Sequence, residues 1–159
     1  QRIAVARALI TRPDVVICDE PVSALDASVQ AQVLNLLCDV QERFSPSYLF
    51  ISHDLAVVGF ICPRILVMYL GQVVEEAPRE RLFAGAAHPY SQALLAAMPT
   101  GDGESRLPRI LEGELPSPLN PPAGCRFHPR CPKAVDICRR EPPAWKELAP
   151  GWRARCHLL

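Results

Sequence analysis

The first part of the chain alternates between two patterns of apolar residues. In residues 1–12 and 27–44 the apolar positions recur every three or four residues, as they do on the buried face of a helix. Residues 14–18 and 48–52, which read DVVIC and YLFIS, are short continuous apolar runs. Such runs are typical of strands buried on both faces of a parallel sheet. The pattern therefore predicts the order helix, strand, helix, strand.

Shorter elements are predicted after the second strand. They are a helix at 55–61, strands at 65–69 and 72–76, and helices at 79–84 and 89–98. Leu70-Gly71 would join the two strands as a hairpin. Because strands and helices alternate along the chain, the predicted fold class is α/β, a parallel sheet with helices packed on it.

The composition changes near Pro99. Residues 1–98 hold 6 prolines with 7 basic and 10 acidic side chains, whereas residues 99–159 hold 11 prolines with 10 basic and 7 acidic side chains. Residues 99–122 are rich in Pro, Gly, Ser and charge without periodicity, which is typical of a linker. We therefore predict a main domain at 1–98, a linker, and a small irregular extension rich in Pro and Cys at 123–159.

Charge and length narrow the class of protein. The 159 residues carry a formal net charge of zero, so no overall basic field would attract nucleic acid or an anionic membrane. Asp54, Pro63 and Arg64 interrupt the apolar stretches, and no segment of about 20 residues could span a bilayer. The chain starts at Gln1 inside a predicted helix, and we expect it to be part of a longer protein.

Candidate catalytic residues follow the two predicted parallel strands. Asp19 and Glu20 end the first strand and His53 ends the second, so the three should share the rim where α/β sheets bind ligands. In phosphoryl chemistry one carboxylate can hold the Mg²⁺ shell and another can position the attacking water. A neutral histidine can donate a hydrogen bond to the terminal phosphate. The alternative is that these residues only cap helices or lie in solvated loops.

Motifs around these residues resemble those of the ATP-binding subunits of ABC transporters. Residues 14–21 (DVVICDEP) are similar to the Walker B strand, 23–26 (SALD) to the D-loop, and 51–54 (ISHD) to the switch-histidine motif. Gln1-Arg2 resembles the end of the signature motif. The resemblance implies the C-terminal part of a P-loop ABC ATPase domain, with ATP and Mg²⁺ as cofactors.

The resemblance also implies a role for each motif residue. Asp19 would be the Mg²⁺-associated carboxylate and Glu20 the catalytic glutamate. His53 would be the catalytic histidine that contacts the γ-phosphate. Asp26, in the D-loop, would join Asp19 in the cofactor-binding group, because this loop reaches across to the partner ATPase subunit in the family.

Longer segments narrow the resemblance to a subgroup. The segments CDEPVSALDASVQAQVLNLL, MYLGQVVE and HPYSQALLAAMP are similar to dipeptide and oligopeptide (and nickel) importers, DppF/OppF-like, and so are GC-x-FHPRCP and CHL in the extension. The resemblance implies an ATPase that energises the import of dipeptides or oligopeptides, with nickel or another solute as the alternative cargo. It also implies a peripheral position on the cytoplasmic face of the inner membrane.

The implied partners are those of an importer. They are a second ABC ATPase subunit in a head-to-tail dimer, transmembrane permease subunits and, indirectly, an extracytoplasmic peptide-binding protein, with no role for nucleic acid. The Walker A loop and most of the signature motif would lie before Gln1. Because the backbone cradle for phosphate belongs to that loop, we expect this chain alone not to hydrolyse ATP. The alternative is a non-catalytic metal-binding or interaction remnant.

Four of the seven cysteines lie in the extension. Their positions are Cys125, Cys131, Cys138 and Cys156. The spacings miss those of common zinc knuckles and ferredoxins, and four thiolates in a segment with little core fit a soft metal centre. The family resemblance implies a four-iron four-sulfur cluster, while zinc or plain reduced thiols remain alternatives.

Overall fold

The computed structural model describes residues 2–98 and 113–159 of the chain. Most of the predicted linker therefore lies outside the described residues, as does Gln1. The chain divides into two compact units, Gln1–Cys62 and Pro63–Leu159, which we call the N-terminal and C-terminal units. Each unit is described by itself.

The N-terminal unit has the predicted order of helices and strands. Its elements are α1 (Arg2–Leu9), β1 (Val15–Asp19), α2 (Ala27–Phe44), β2 (Ser47–Ile51) and α3 (Leu55–Ile61). Strands β1 and β2 pair in parallel, with Val15 opposite Ser47 and Asp19 opposite Ile51. The carboxyl ends of the two strands therefore meet at one rim.

Local chemistry explains where α2 begins and ends. The carboxylate of Asp26 accepts the backbone N–H groups of Ser28 and Val29, which would otherwise lack partners in the first turn. Ser45 ends the helix in a left-handed conformation, directly before Pro46, which cannot continue a helix. Between these ends, α2 supplies most of a small apolar core, which consists of Val22, Val33, Leu34, Leu37 and Val57.

The prediction that both strands are buried on both faces is wrong. The side chains of β1 and β2 alternate between exposed positions and positions that are partly or fully buried, and Ile17 is 66% exposed. Leu49 and Ile51 are exposed as well. The physical reason is that the sheet has only two strands and, within the part of the chain that the structure describes, no second layer covers its outer face. The apolar run correctly indicated a strand but not its burial.

The C-terminal unit combines an antiparallel sheet with short helices. Its elements are β3 (Arg64–Tyr69), β4 (Gln72–Pro78), α4 (Arg79–Gly85), α5 (Pro89–Ala96), a 3-10 turn (His128–Arg130), α6 (Asp136–Arg140), β5 (Lys146–Ala149) and β6 (Trp152–Ala154). The predicted hairpin of β3 and β4 turns at Leu70 and Gly71, which both have positive φ. The strand order is β3-β4-β6-β5, so β6 from the extension pairs with β4.

The predicted fold class, α/β with a parallel sheet and helices in its first part, is confirmed. The extension contains more regular structure than the sequence indicated, because β5 and β6 add to the sheet begun by β3 and β4. The boundary between the two units in the sequence follows Cys62, whereas the composition changes near Pro99. Among the helices of the described ranges, none has the length and apolar character that a membrane span requires.

Candidate functional site

Glu20 lies directly after β1 in a backbone conformation that is uncommon for its residue type. Its φ is 46°, in the left-handed region, and Pro21 follows it. Its N–H donates to the carbonyl of Ile51 at 3.0 Å, which extends the pairing of the two strands by one residue. Its own carbonyl accepts the N–H of Ser23 at 3.4 Å and the hydroxyl of Ser23 at 3.1 Å.

The side chains of Glu20 and His53 are in direct contact. Nδ1 of His53 lies 2.9 Å from Oε1 and 3.0 Å from Oε2 of Glu20, so the ring N–H donates to the carboxylate. The hydrogen bond to Glu20, aided by the charge of that carboxylate, raises the pKa of His53 above its ordinary 6.5. Both groups are accessible: the side chain of His53 is 76% exposed and that of Glu20 is 37% exposed.

Asp19 lies at the same rim. It is the exposed last residue of β1 and directly precedes Glu20. It also borders a cavity of about 180 Å³ whose other lining residues, Val5 and Leu9 of α1 and Val16 of β1 among them, are mostly apolar. An exposed carboxylate at a strand end is a donor type that Mg²⁺ accepts, so the residue fits its predicted role chemically. The rim thus carries two carboxylates and one histidine.

Asp26 has a structural role in addition to its predicted one. Its Oδ1 accepts the N–H groups of Ser28 and Val29 at 3.0 Å and the Ser28 hydroxyl at 2.7 Å. The bond from Val29, followed by the bond from the Ser28 hydroxyl, lowers the pKa of the carboxyl. Asp54 caps α3 in the same way, through Ala56 and Val57. Asp26 and Asp54 therefore cap helices, whereas Glu20 and His53 contact each other.

The four cysteines of the extension lie in the C-terminal unit as free thiols. Cys125 and Cys131 are half-buried, and Cys138 and Cys156 are buried. Burial raises the pKa of the first two thiols, with a smaller contribution from the charges of the other cysteines in the set.

A close backbone approach brings two of these cysteines together. The N–H of Cys125 donates to the carbonyl of Cys138 at 2.8 Å, and Gly124 packs directly against the same carbonyl. Even so, within residues 2–98 and 113–159 no three His, Cys, Asp or Glu side chains are grouped so that they could hold a metal ion. The side chains as they stand do not fit a metal centre.

Two buried carboxylates in β4 were missed by the sequence interpretation. Glu75 is fully buried and accepts the N–H groups of Ala87 at 2.8 Å and His88 at 2.9 Å. Glu76 is also buried and pairs with Arg64 and Arg153. The available signal was an acidic pair inside an apolar strand, VVEEA, because carboxylates in such a position need partners when they are buried.

His88 lies directly before the helix predicted at 89–98. Its Nδ1 accepts the N–H of Tyr90 and caps α5, which begins at Pro89. The ring is 1% exposed and packs beside Phe127. Burial lowers its pKa to about 4, and the charge of Glu75 opposes this only in part. His88 is therefore neutral at pH 7 and stabilises the fold.

The comparisons with known proteins find similarity to proteins of peptide transporters. Residues 74–138 match the family model of the oligopeptide/dipeptide transporter C-terminal region. This stretch begins inside β4 and contains His88 at the start of α5 and three of the four cysteines of the extension. Of the segments on which the resemblance to peptide importers was based, HPYSQALLAAMP and GC-x-FHPRCP lie inside this stretch, whereas CDEPVSALDASVQAQVLNLL and CHL lie outside it.

Individual relatives extend the similarity to almost the whole chain. A Sinorhizobium fredii protein, whose name describes a peptide ABC transporter ATP-binding protein, is 55% identical over 99% of this chain and 45% of its own length. The oligopeptide transport ATP-binding protein AppF of Bacillus subtilis is 52% identical over 99% of the chain and 49% of its own length. The resemblance to the C-terminal part of such subunits is thus confirmed, and the chain spans about half the length of these relatives.

Proposed function

We propose that the chain is the C-terminal part of an ABC importer subunit that binds and hydrolyses ATP to energise the uptake of dipeptides or oligopeptides. The observation that carries the proposal is the contact between Glu20 and His53 at the carboxyl ends of two parallel strands. Similarity to ATP-binding proteins of peptide transporters supports the same assignment. Nickel or another solute is the alternative cargo.

Each residue at the rim has a role that suits its chemistry. Glu20, held by the hydrogen bond from His53, would orient a water molecule and accept its proton during attack on the terminal phosphate. His53 would keep the carboxylate in place with Nδ1 and leave its other ring nitrogen to contact the phosphate. A Mg²⁺ ion held by Asp19 would neutralise phosphate charge. Asp26 would orient the start of α2 toward a partner ATPase subunit.

The proposed domains and partners follow from the same assignment. Residues 1–98 would belong to the ATPase domain, 99–122 to a linker and 123–159 to the extension of peptide-transporter subunits. The longer protein would pair with a second ATPase subunit and with transmembrane permease subunits, and an extracytoplasmic peptide-binding protein would be an indirect partner. It would lie peripherally on the cytoplasmic face of the inner membrane.

A chimera tests the catalytic part of the proposal. The part of AppF outside the matched region is joined ahead of this chain, and ATP hydrolysis is measured with the isolated chain as reference. We expect hydrolysis only from the chimera, with Glu20→Gln abolishing turnover while ATP binding remains. Asp39→Asn, on the exposed side of α2, serves as the matched charge control. Turnover that survives Glu20→Gln would remove Glu20 from its role.

We propose separately that Cys125, Cys131, Cys138 and Cys156 bind an iron–sulfur cluster after a rearrangement of their side chains. The backbone hydrogen bond between Cys125 and Cys138, which brings two of the four cysteines together, supports the proposal, and the lack of a ready ligand arrangement in the described residues opposes it. Iron and sulfide are measured in protein purified anaerobically, with Cys38→Ser as the control for a cysteine outside the set. Iron content that Cys125→Ser leaves unchanged would disprove the cluster, and zinc in its place would support the alternative.

A further inference from the structure

The backbone of Glu20 is fixed on both sides by hydrogen bonds. Its N–H donates to Ile51 at the end of β2, and its carbonyl accepts two bonds from Ser23. Ser23 lies three residues later in the same turn, and its side chain is exposed. Between the two lies Val22, which is buried in the core and anchors the turn. Ser23 thus reaches Glu20 from a turn whose position is already fixed.

The conformation that these bonds hold is not one that Glu20 would adopt by itself. A left-handed φ is unfavourable for a side chain with a Cβ atom and persists only where surrounding contacts determine it. The following Pro21 further disfavours the helical region for Glu20, which leaves the extended region as its relaxed state. A change from φ 46° to an extended φ would swing the Cα–Cβ bond and move the carboxylate away from His53.

We propose that Ser23 is the positioning residue for Glu20: by donating its hydroxyl to the Glu20 carbonyl, it fixes the left-handed backbone that places the Glu20 carboxylate against His53. The importance of this for ATP hydrolysis rests on the function proposed above, whereas the geometric claim stands on the turn itself. Ser23 touches no reacting atom in this arrangement. Its effect passes through the backbone of Glu20.

The test measures the pKa of His53 by NMR titration of its ring protons in the full chain. Because the contact with Glu20 raises this pKa, the value reports whether the carboxylate is in place. We expect Ser23→Ala to lower the pKa toward the ordinary 6.5 and Ser23→Thr, which keeps the hydroxyl, to restore it. Ser23→Cys keeps the size of the side chain but offers only a weak donor, so it should behave like Ser23→Ala.

Ser28→Ala is the matched control. It also removes one exposed serine hydroxyl bond, to Asp26, but it lies outside the Glu20 turn, so the His53 pKa should not move. If the His53 pKa is raised in the wild type and Ser23→Ala leaves it unchanged, Ser23 does not position Glu20, although the Glu20–His53 contact stands. Equal shifts in Ser23→Ala and Ser23→Thr would overturn the role of Ser23 in the same way. A wild-type pKa at or below 6.5 would deny the Glu20–His53 contact and count against the proposed function as well.

Discussion

The indole N–H of Trp152 donates to Oε1 of Glu75 at 2.9 Å, which joins two residues 77 positions apart in the sequence. Glu75 lies in the hairpin strand β4, and Trp152 begins β6 of the extension. The same carboxylate accepts the N–H groups of Ala87 and His88 at the start of α5. One buried carboxylate therefore ties together the sheet, the helix α5 and the extension, without a basic side chain among these three donors.

Trp152→Phe should destabilise the C-terminal unit. The change removes one donor from a buried carboxylate, and hydrogen bonds to charged groups contribute about 1.5–3 kcal/mol. The free energy of unfolding, measured in urea, should fall by about 2 kcal/mol on this scale. The control is Trp145→Phe, since Trp145 instead packs its ring against the guanidinium groups of Arg153 and Arg155 and should lose less. Equal losses would show that the bond to Glu75 contributes little.

Gly124→Ala should be the more damaging of two glycine substitutions. At a φ of +67°, a Cβ on residue 124 would lie 2.5 Å from the Cys138 carbonyl and 2.9 Å from the backbone carbon of Arg139. Backbone atoms cannot move aside cheaply, and we expect a loss of stability of at least about 1–3 kcal/mol, the usual cost of one strained backbone position. The pairing of Cys125 with Cys138 should loosen too.

The control for this change is Gly85→Ala. Gly85 ends α4 and has open space around its Cβ position, so alanine should be neutral or slightly stabilising. Urea unfolding measures both variants, and amide hydrogen exchange at Cys125 reports on the loosened pairing. Similar unfolding curves for the two variants would contradict the close backbone approach.

The sequence predicted the helices of the N-terminal unit because their ends have local causes. The predicted bounds of α2 and α3 agree with the structure, since Asp26 and Asp54 supply capping carboxylates and Pro46 stops α2. The proximity of Glu20 and His53 could also be predicted, because residues that follow neighbouring parallel strands must share a rim. Local patterns carry this information.

Other features depend on contacts that no local pattern reports. Strand β6 has three residues and pairs with β4 about 77 positions earlier, so neither its length nor its periodicity reveals it. The left-handed backbone of Glu20 is equally hidden, because the residue type gives no sign of it. The exposure of β1 was mispredicted because an apolar run shows that a strand is suited to burial, but it does not show whether another layer covers that strand.

The contact with Glu20 should make the stability of the N-terminal unit depend on pH through His53. The folded-state pKa is raised, so the stabilisation is fully present below 6.5 and is lost as the pH rises through the folded-state value. Two charged groups lie near His53. The Glu20 carboxylate accepts its hydrogen bond and attracts the imidazolium, and Asp54 adds a smaller attraction. Glu20→Gln should lower the His53 pKa in an NMR titration, whereas Asp39→Asn on α2 should not. An unchanged value in Glu20→Gln would place the source of the shift elsewhere.

His88 should produce the opposite pH dependence in the C-terminal unit. Its pKa falls from 6.5 to about 4 on folding, so the unfolded chain binds the extra proton first as the pH decreases. The stabilisation is complete above pH 6.5 and is lost between 6.5 and about 4. With 1.36 kcal/mol for each pKa unit, the loss amounts to about 3 kcal/mol. Glu75 is the charged group that faces His88, the Phe127 ring packs beside it, and the Tyr90 N–H donates to its Nδ1.

His88→Asn isolates this effect, because asparagine can still cap α5 and does not titrate. We expect the free energy of unfolding in urea to change much less between pH 6.5 and 4 for this variant than for the wild type. His157→Asn is the control, since His157 bonds the Glu141 carbonyl in the same unit but is not buried in the core. His88→Asn could keep the full loss of stability between pH 6.5 and 4 while His157→Asn removes it. The buried imidazole of His88 would then not be the source of this loss, and the protonation that destabilises the unit would belong to the extension.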